Sequence, residues 1–428
     1  MVRDMNSAGA GEVANAQFPE FPPALFAGRT NEQMMAEINS LKPPKFYPPY
    51  PSRRNRNATK ANVESIAWLH EYKVGTVFED PKRWEHFQRM KLSEIMTRVY
   101  PDADEERVVW LGSYGWWLFL VDDLLDGRGA FRAPERSTPF FVEVNLTMLW
   151  SFPDSPVLYN TFVEIVECFP EDQRRGILED VSAKLVKARE HPGSVYDTSH
   201  SGPVLECFKD LWVKLLASTP HESIIRWGNS IQTYLLGNVI EAKNRTHGNI
   251  PSIAEYIDIR RNTSSMYPCM WIVDYSENFS VPLPKEIYES AEMKNFQEAT
   301  NDTVSWHNDI FSVKKELLEG EVHNLVTVVS HERKCSFQEA MWIAVGMLHD
   351  RLQDLDRAVL DLEAITPPEH SQMVAGYVKT AHCWFSGSHD FTVVSNERYS
   401  WDMSASIHCL LCHNAPPKEA KVISGLFG

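Results

Sequence analysis

From Ala61 onward, apolar residues recur three and four positions apart with almost no two-residue alternation, and this period constrains the chain more than any other feature. Such spacing places apolar side chains along one face of a helix that turns every 3.6 residues, so the chain must pack helices on helices. The segments Val63 to Tyr72, Asp80 to Val99 and Glu105 to Asp126 carry the pattern first. Further helices are expected over 155–190, 203–218, 221–243, 252–275, 284–319, 336–364 and 369–387, separated by Pro and Gly clusters. The expected fold class is all-α, with one helical domain over 61–405 and no internal repeat. Residues 1–60 read differently. Pro19, Pro22, Pro23, Pro43, Pro44, Pro48, Pro49 and Pro51 each fix φ and remove a backbone N–H, so an extended, partly disordered arm without regular helix is expected there. Residues 406–428 are expected to form a C-terminal tail.

Length and charge narrow the function classes. A chain of 428 residues with 43% hydrophobic content can bury a large core, and no run reaches the 18 or so apolar residues of a membrane span. The net charge of −16, from 42 Lys plus Arg against 58 Asp plus Glu, argues against a nucleic acid partner despite the local cluster Arg53, Arg54 and Arg56. No basic segment followed by an apolar one opens the chain, and seven scattered cysteines fit reduced thiols better than a disulfide framework. A soluble, cytoplasmic protein is expected. The run His408-Cys409-Leu410-Leu411-Cys412-His413 offers zinc-type ligands. It lacks a second CxxC, and adjacent His and Cys do not easily close on one ion, so a tail is the preferred reading.

Two segments carry chemistry. In Asn308-Asp309-Ile310-Phe311-Ser312-Val313-Lys314-Lys315-Glu316, residues Asn308, Ser312 and Glu316 fall on one narrow helical stripe. An amide oxygen, a hydroxyl and a carboxylate are hard donors that suit Mg²⁺ and leave positions for water and phosphate oxygens. Far upstream, the apolar run Gly115 to Val121 leads directly into Asp122-Asp123-Leu124-Leu125-Asp126. Asp122 and Asp126 share a helical face one turn apart, where two carboxylates repel unless a cation lies between them. The Asn308 stripe alone more often marks a solvated helix face, and an isolated DDxxD fits such a face as well as it fits metal; two stripes of different composition together favour metal.

With both motifs in view the chain resembles the class I terpene synthases, which carry DDxxD on one helix and NDxxSxxxE on a facing one. DDLLD at Asp122 to Asp126 and NDIFSVKKE at Asn308 to Glu316 match at every ligand position, and the likeness covers about residues 55–405. It resembles the microbial, fungal-type sesquiterpene synthases most, and the segment between Asp126 and Arg261 looks longer than usual there. Glu397-Arg398-Tyr399 resembles the Arg-Tyr pair that grips the departing diphosphate. Arg260-Arg261-Asn262-Thr263-Ser264-Ser265 resembles the diphosphate-sensing segment, with Arg261 as sensor, Ser264 as linker and Ser265 as effector. The effector is commonly Gly, so Ser265 departs from the pattern. Pro268 adds a physical reason for a break: its missing N–H leaves the carbonyl of Ser264 without its helical donor.

The resemblance implies a single-domain helical bundle around a central cavity. It implies a lyase that binds a three-ion Mg²⁺ cluster with the substrate diphosphate on Asp122, Asp126, Asn308, Ser312 and Glu316. Arg261, Lys315, Arg398 and Tyr399 would hold the remaining diphosphate oxygens, and Asp122, Asn308, Ser312, Glu316, Arg261 and Ser265 form the catalytic set. Ionisation of the allylic C–O bond then leaves a carbocation that water would quench, so an aromatic lining is required. Trp117, Tyr267, Trp306, Phe311, Trp384 and Phe391 lie near the motifs and are candidates. Farnesyl diphosphate is the preferred substrate and geranylgeranyl diphosphate the next, acting on a monomer or homodimer. A prenyl diphosphate synthase would need a second Asp-rich motif in place of Asn308, Ser312 and Glu316. A catalytically silent helical binding protein would not need intact ligands. The Pro-rich stretch to about residue 50 is expected to be dispensable for folding, unless Phe46, Tyr47, Tyr50, Arg53 and Arg54 close over the cavity.

Overall fold

The computed structural model describes residues 25, 28–125, 134–192, 194, 196, 202–246, 250–394 and 399, with the backbone alone described at 134–138, 242–246 and 394. Among these residues every regular element is helical. In chain order they are α1 (Asn31–Ser40), α2 (Ala58–Glu71), α3 (Pro81–Arg89), α4 (Ser93–Val99), α5 (Glu105–Leu125), α6 (Pro134–Ser151), α7 (Pro156–Glu167), α8 (Glu171–Glu190) and α9 (Pro203–Leu216). They continue as α10 (His221–Thr246), α11 (Ile253–Thr263), α12 (Met266–Trp271), α13 (Val273–Ser276), α14 (Lys285–Tyr288), α15 (Ala291–Glu319), α16 (Leu325–Arg333), α17 (Phe337–Ile365) and α18 (Ser371–Val394).

Two of these helices organise the rest. α5 is apolar on all sides, which a helix tolerates only when it is enclosed, and it packs against α2, α4 and α9. By length and composition it is apolar enough to cross a membrane, yet 78% of its most apolar stretch is buried inside the protein. Gly115 allows the closest of these approaches, since a β-carbon there would stand 2.6 Å from the Met96 side chain on α4. α15 packs on α17 and α18 and buries a long polar row that includes Asn301, Asp302, Ser305, His307, Asp309 and Ser312. A buried polar row on a core helix needs partners on the neighbouring elements, and those partners make up the site.

Element boundaries depart from the periodicity where local chemistry intervenes. The span 80–99 divides at Lys91, which takes a left-handed φ of 51°. Pro170 divides 155–190 into α7 and α8, and Ser290 caps α15 after the short α14. Helices α6 and α16 were not anticipated. α16 begins at Asn324, whose side chain caps it, and α6 carries Pro139 within its length.

The largest departure lies in the described part of the arm. Instead of extended chain throughout, residues 31–40 form α1, in the proline-free interval between Pro23 and Pro43. Thr30 and Gln33 close a reciprocal capping box, and Met34 and Ile38, one turn apart, are fully buried. The chain then runs as a strap over α17 and α18. Leu41 and Phe46 are buried, and the Phe46 ring sits 5.4–5.9 Å from those of His307, His349, Phe385 and His389. Tyr50 stacks on His382 at 3.9 Å and donates to Asp356 at 2.8 Å, Arg53 forms a fork on Asp102, and Arg54 forms another on Glu94 at 2.7 Å. Tyr47 is exposed. These residues fasten the strap to α4, α17 and α18 and do not line the cavity.

The strap therefore bears on stability. Truncating a buried aromatic costs roughly 3–5 kcal/mol, so Phe46→Ala, and deletion of residues 1–50 with it, is expected to lower the midpoint of thermal unfolding well below that of the intact chain. A second expectation concerns acid. His389 and His307 share a hydrogen bond of 3.0 Å, and burial pushes His389 down to about 4 and His307 well below the usual histidine range. A folded-state value below the unfolded one gives stability that is present above the unfolded pKa of about 6.5 and is lost as pH falls towards 4. Denaturant unfolding between pH 7 and 4 should show this decline, and His389→Asn should flatten it.

Candidate active site

The two motif helices face one cavity. α5 contributes Leu118, Phe119 and Asp122, and α15 contributes Val304, Ser305, His307 and Asn308. α4, α10, the junction of α11 with α12, and α18 complete the wall, together with Tyr399. Asp122 thus confronts Asn308 across a cavity, as their motifs require. Asp126 and Arg398 lie outside the described residues, as does the run His408 to His413.

The stripe on α15 is held by a dense network. Ser312 is buried, Asn308 and Glu316 are part-buried, and all three follow one face at spacings of four. The Asn308 amide donates to the Tyr399 hydroxyl at 3.3 Å, which ties the second residue of the Arg-Tyr pair to the first residue of the triad. Loss of solvent, and then the Asp309 charge, push the Glu316 carboxyl up to about 7. A buried carboxylate in that state gains from a cation. Among the described residues no three His, Cys, Asp or Glu side chains gather at one point, because the donors of the stripe are an amide, a hydroxyl and a carboxylate, of which Asn308 lines the cavity with Asp122 while Ser312 and Glu316 lie behind its wall. That set of hard oxygens fits a divalent ion of the magnesium type.

Asp309, between the ligand positions, is taken up by partners of its own. It is 1% exposed and accepts from Tyr256 Oη at 2.6 Å, Arg260 Nε at 3.0 Å and the backbone N–H of Leu325 at 3.3 Å. Burial and the neighbouring Asp309 carboxylate hold Tyr256 well above the usual phenol range, so it stays a donor. Burial opposes charge on Arg260, but Asp309, Tyr256, Glu316 and Glu241 together outweigh it and keep the guanidinium firmly protonated. Arg260 also donates to Asn308 Oδ1 at 3.2 Å. It is this arginine that lines the cavity.

Arg261, the expected sensor, lies off the cavity wall and turns toward α15. It forms a two-point pair with buried Asp302 at 2.8 Å and a second pair with Glu298 at 3.1 Å, while Arg351 holds the same Asp302 at 2.9 Å. Reaching the cavity would require it to leave these partners. Neighbouring residues on a helix point about 100° apart, and sequence alone does not say which of two adjacent arginines faces inward. Lys315 likewise lies off the cavity wall and pairs with Glu319 at 3.6 Å.

The helix break expected from Pro268 is present four residues earlier. α11 ends at Thr263, Ser265 adopts a left-handed φ of 60°, and α12 starts at Met266 with Pro268 inside its first turn. The Ser264 hydroxyl donates to Asn301 at 2.7 Å and accepts from Met266 N–H at 3.1 Å, while the Asn301 amide donates to the Arg261 carbonyl at 2.7 Å. Ser264 and Ser265 both line the cavity. The left-handed conformation that glycine takes freely costs a residue such as serine roughly 1–2 kcal/mol.

Of the six expected aromatics, Trp384 lines the cavity. Trp117 packs on Phe208 and donates to the Val204 carbonyl, facing α9. Phe311 stacks beside His307 and His389, on the side of the strap. Trp306, Tyr267 and Phe391 are likewise off the wall. Helical phase accounts for this. Phe119 and Leu118, three and four residues before Asp122, share its face, as Trp384, Ser388 and Thr392 share a face of α18; Trp117 and Phe391 are out of step by one. Counting back by three and four from the ligands would have found Phe119 and Val304. Tyr234 on α10 carried no such signal.

Known proteins agree with this architecture. A family model described as terpene synthase family 2, C-terminal metal binding, matches residues 169–354. The chain is 27% identical to alpha-gurjunene synthase of Marchantia polymorpha, over 92% of each chain. It is 27% identical to the 4-epi-cubebol synthase of Streptosporangium roseum, over 84% of this chain and 93% of that one. The crystal structure of an α-eudesmol synthase superposes with a TM-score of 0.63 at 20% identity, covering 82% of this chain and 99% of the other. The fold is that of the class I helical terpenoid synthases. The chain is thus similar to the terpene synthases, which are lyases, and its residues 169–354 match the model of their metal-binding region.

The two arginines are separable by experiment. Arg260→Gln is expected to raise KM for a prenyl diphosphate by roughly tenfold or more, the effect of losing a charged hydrogen bond. Arg261→Gln is expected to act first on the thermal midpoint, because it leaves Asp302 with one arginine. Steady-state kinetics beside thermal unfolding of both variants checks this.

Proposed function

We propose that this protein is a Mg²⁺-dependent sesquiterpene synthase that ionises farnesyl diphosphate and cyclises the resulting carbocation, releasing diphosphate. The observation that carries the reading is the meeting of Asp122 with Asn308 and Tyr399 in one cavity bounded by a broken helix. Mg²⁺, when bound, would neutralise charge as it develops on the leaving diphosphate. Asp122, with Asp126, would hold it from α5, and Asn308, Ser312 and Glu316 from α15.

The chain's own residues supply the rest. Arg260 brings a fixed positive charge to the diphosphate end, and Tyr399 brings a hydroxyl; Arg398, Arg261 and Lys315 are further cations for the same anion. Pro268 withholds the N–H that would bond the Ser264 carbonyl, so that backbone oxygen is available to stabilise positive charge at the cavity wall. Phe119, Tyr234 and Trp384 offer ring faces to a cation, and Leu118, Met96 and Val304 offer surface that does not react with one. The names of similar proteins, among them a 4-epi-cubebol synthase described as cyclising (2E,6E)-farnesyl diphosphate and a sesquiterpene synthase of Postia placenta, support a C15 substrate.

Purified protein incubated with C10, C15 and C20 prenyl diphosphates and Mg²⁺ is expected to release diphosphate and hydrocarbon or alcohol fastest from the C15 substrate, as read by gas chromatography. Asp122→Asn and Asn308→Ala should each lower turnover on the order of 100-fold or more while the helical circular dichroism stays unchanged, because these groups act on developing charge and not on packing. Turnover near the wild-type rate with Asp122→Asn would overturn the assignment of the metal ligands.

A further inference from the structure

Asn324 lies in neither motif, yet its side chain reaches two members of the triad, Glu316 and Ser312. It is fully buried at the start of α16, where its Oδ1 accepts from the Val326 N–H at 2.8 Å and so caps that helix. Its Nδ2 donates to Glu316 Oε2 at 2.8 Å and to the Asp309 backbone carbonyl at 2.8 Å, with Ser312 Oγ at 3.5 Å. A backbone N–H on one end of the amide and a carboxylate on the other leave it a single orientation.

We infer that Asn324 is a positioning residue for the metal and diphosphate site, holding Glu316 and Ser312 in register on α15 through one amide that also caps α16. This rests on the proposed function and adds a residue to it. The chemistry demands asparagine. Aspartate would cap equally well but would set a second carboxylate against Glu316; serine would cap and be too short to donate; glutamine would be too long to cap. The N-terminus of α16 adds a further anchor at the same point, since the Leu325 N–H reaches Asp309. A connection of five residues, Gly320 to Asn324, joins the two helices, so fixing the start of α16 on Glu316 also fixes the exit of α15.

The test separates this role from plain capping. Asn324→Ser and Asn324→Asp keep a capping oxygen and lose the donor, whereas Asn324→Ala loses both. Binding of Mg²⁺ with inorganic pyrophosphate is measured by calorimetry on the full-length protein, beside thermal unfolding without ligand and the Mg²⁺ concentration for half-maximal turnover. All three variants are expected to bind pyrophosphate about tenfold or more weakly and to need correspondingly more Mg²⁺, with the serine and aspartate variants unfolding at higher temperature than the alanine variant. Wild-type affinity in Asn324→Ser, or a loss of affinity confined to Asn324→Ala, would overturn the role and leave Asn324 as a cap alone. Wild-type protein that takes up no Mg²⁺ with pyrophosphate would instead overturn the proposed function itself.

Discussion

The buried carboxylate of Asp309 is the contact on which the site depends. An isolated charge at 1% exposure is strongly unfavourable, and three donors from two elements compensate it: Tyr256 and Arg260 from α11, and the Leu325 N–H from the head of α16. Removing any one leaves charge without full compensation, so α11, α15 and α16 are locked in mutual register. The consequence reaches the neighbours of Asp309 in sequence. Asn308, one residue away, shares Arg260 with Asp309, and Ser312 lies beside the head of α16 at Asn324.

A second constraint comes from the broken helix. α11 and α12 are interrupted where Pro268 cannot supply a donor, and the break is stabilised by hydroxyl and amide groups in place of the missing backbone bonds. Asn301 on α15 reaches across to the Arg261 carbonyl and the Ser264 hydroxyl, so the unwound turn is pinned to the same helix that carries the triad. Gly237 lets α10 approach this region, since a β-carbon there would lie 2.8 Å from that of Asn262. The break is thereby an ordered part of the wall, and Ser265 keeps a left-handed backbone against its side-chain preference.

Behind this wall the strap and α18 form an aromatic layer. Phe46, Phe385, His307 and His389 surround one another, and the two imidazoles remain uncharged because burial disfavours the protonated form. Neutral rings at this position keep extra positive charge away from a cavity built to hold a cation, while packing the face of α15 opposite Asp309. The N-terminal segment thus acts on the site from the outside, through helix placement.

The fold class, the central helices and the facing motifs were legible in the chain because each depends on local spacing. Apolar residues at three and four imply a helix, and ligands at Asn308, Ser312 and Glu316 share a face in any helix that contains them. The break followed from the covalent structure of Pro268. What the sequence could not supply was rotation and company. Arg260 against Arg261, Trp384 against Trp117, and the choice of Phe119 as a lining residue turn on how a whole helix is rolled about its axis, which is settled by packing against several others at once. α1 escaped notice because the prolines around it masked a short capped interval, and Asn324 because a single asparagine near a helix start signals a cap and nothing more. Spacing along the chain determined the helices and the metal-type stripe; only the close packing of helices distant in sequence decided which side chains meet across the cavity, because a side chain's partners depend on every neighbour that excludes water from it.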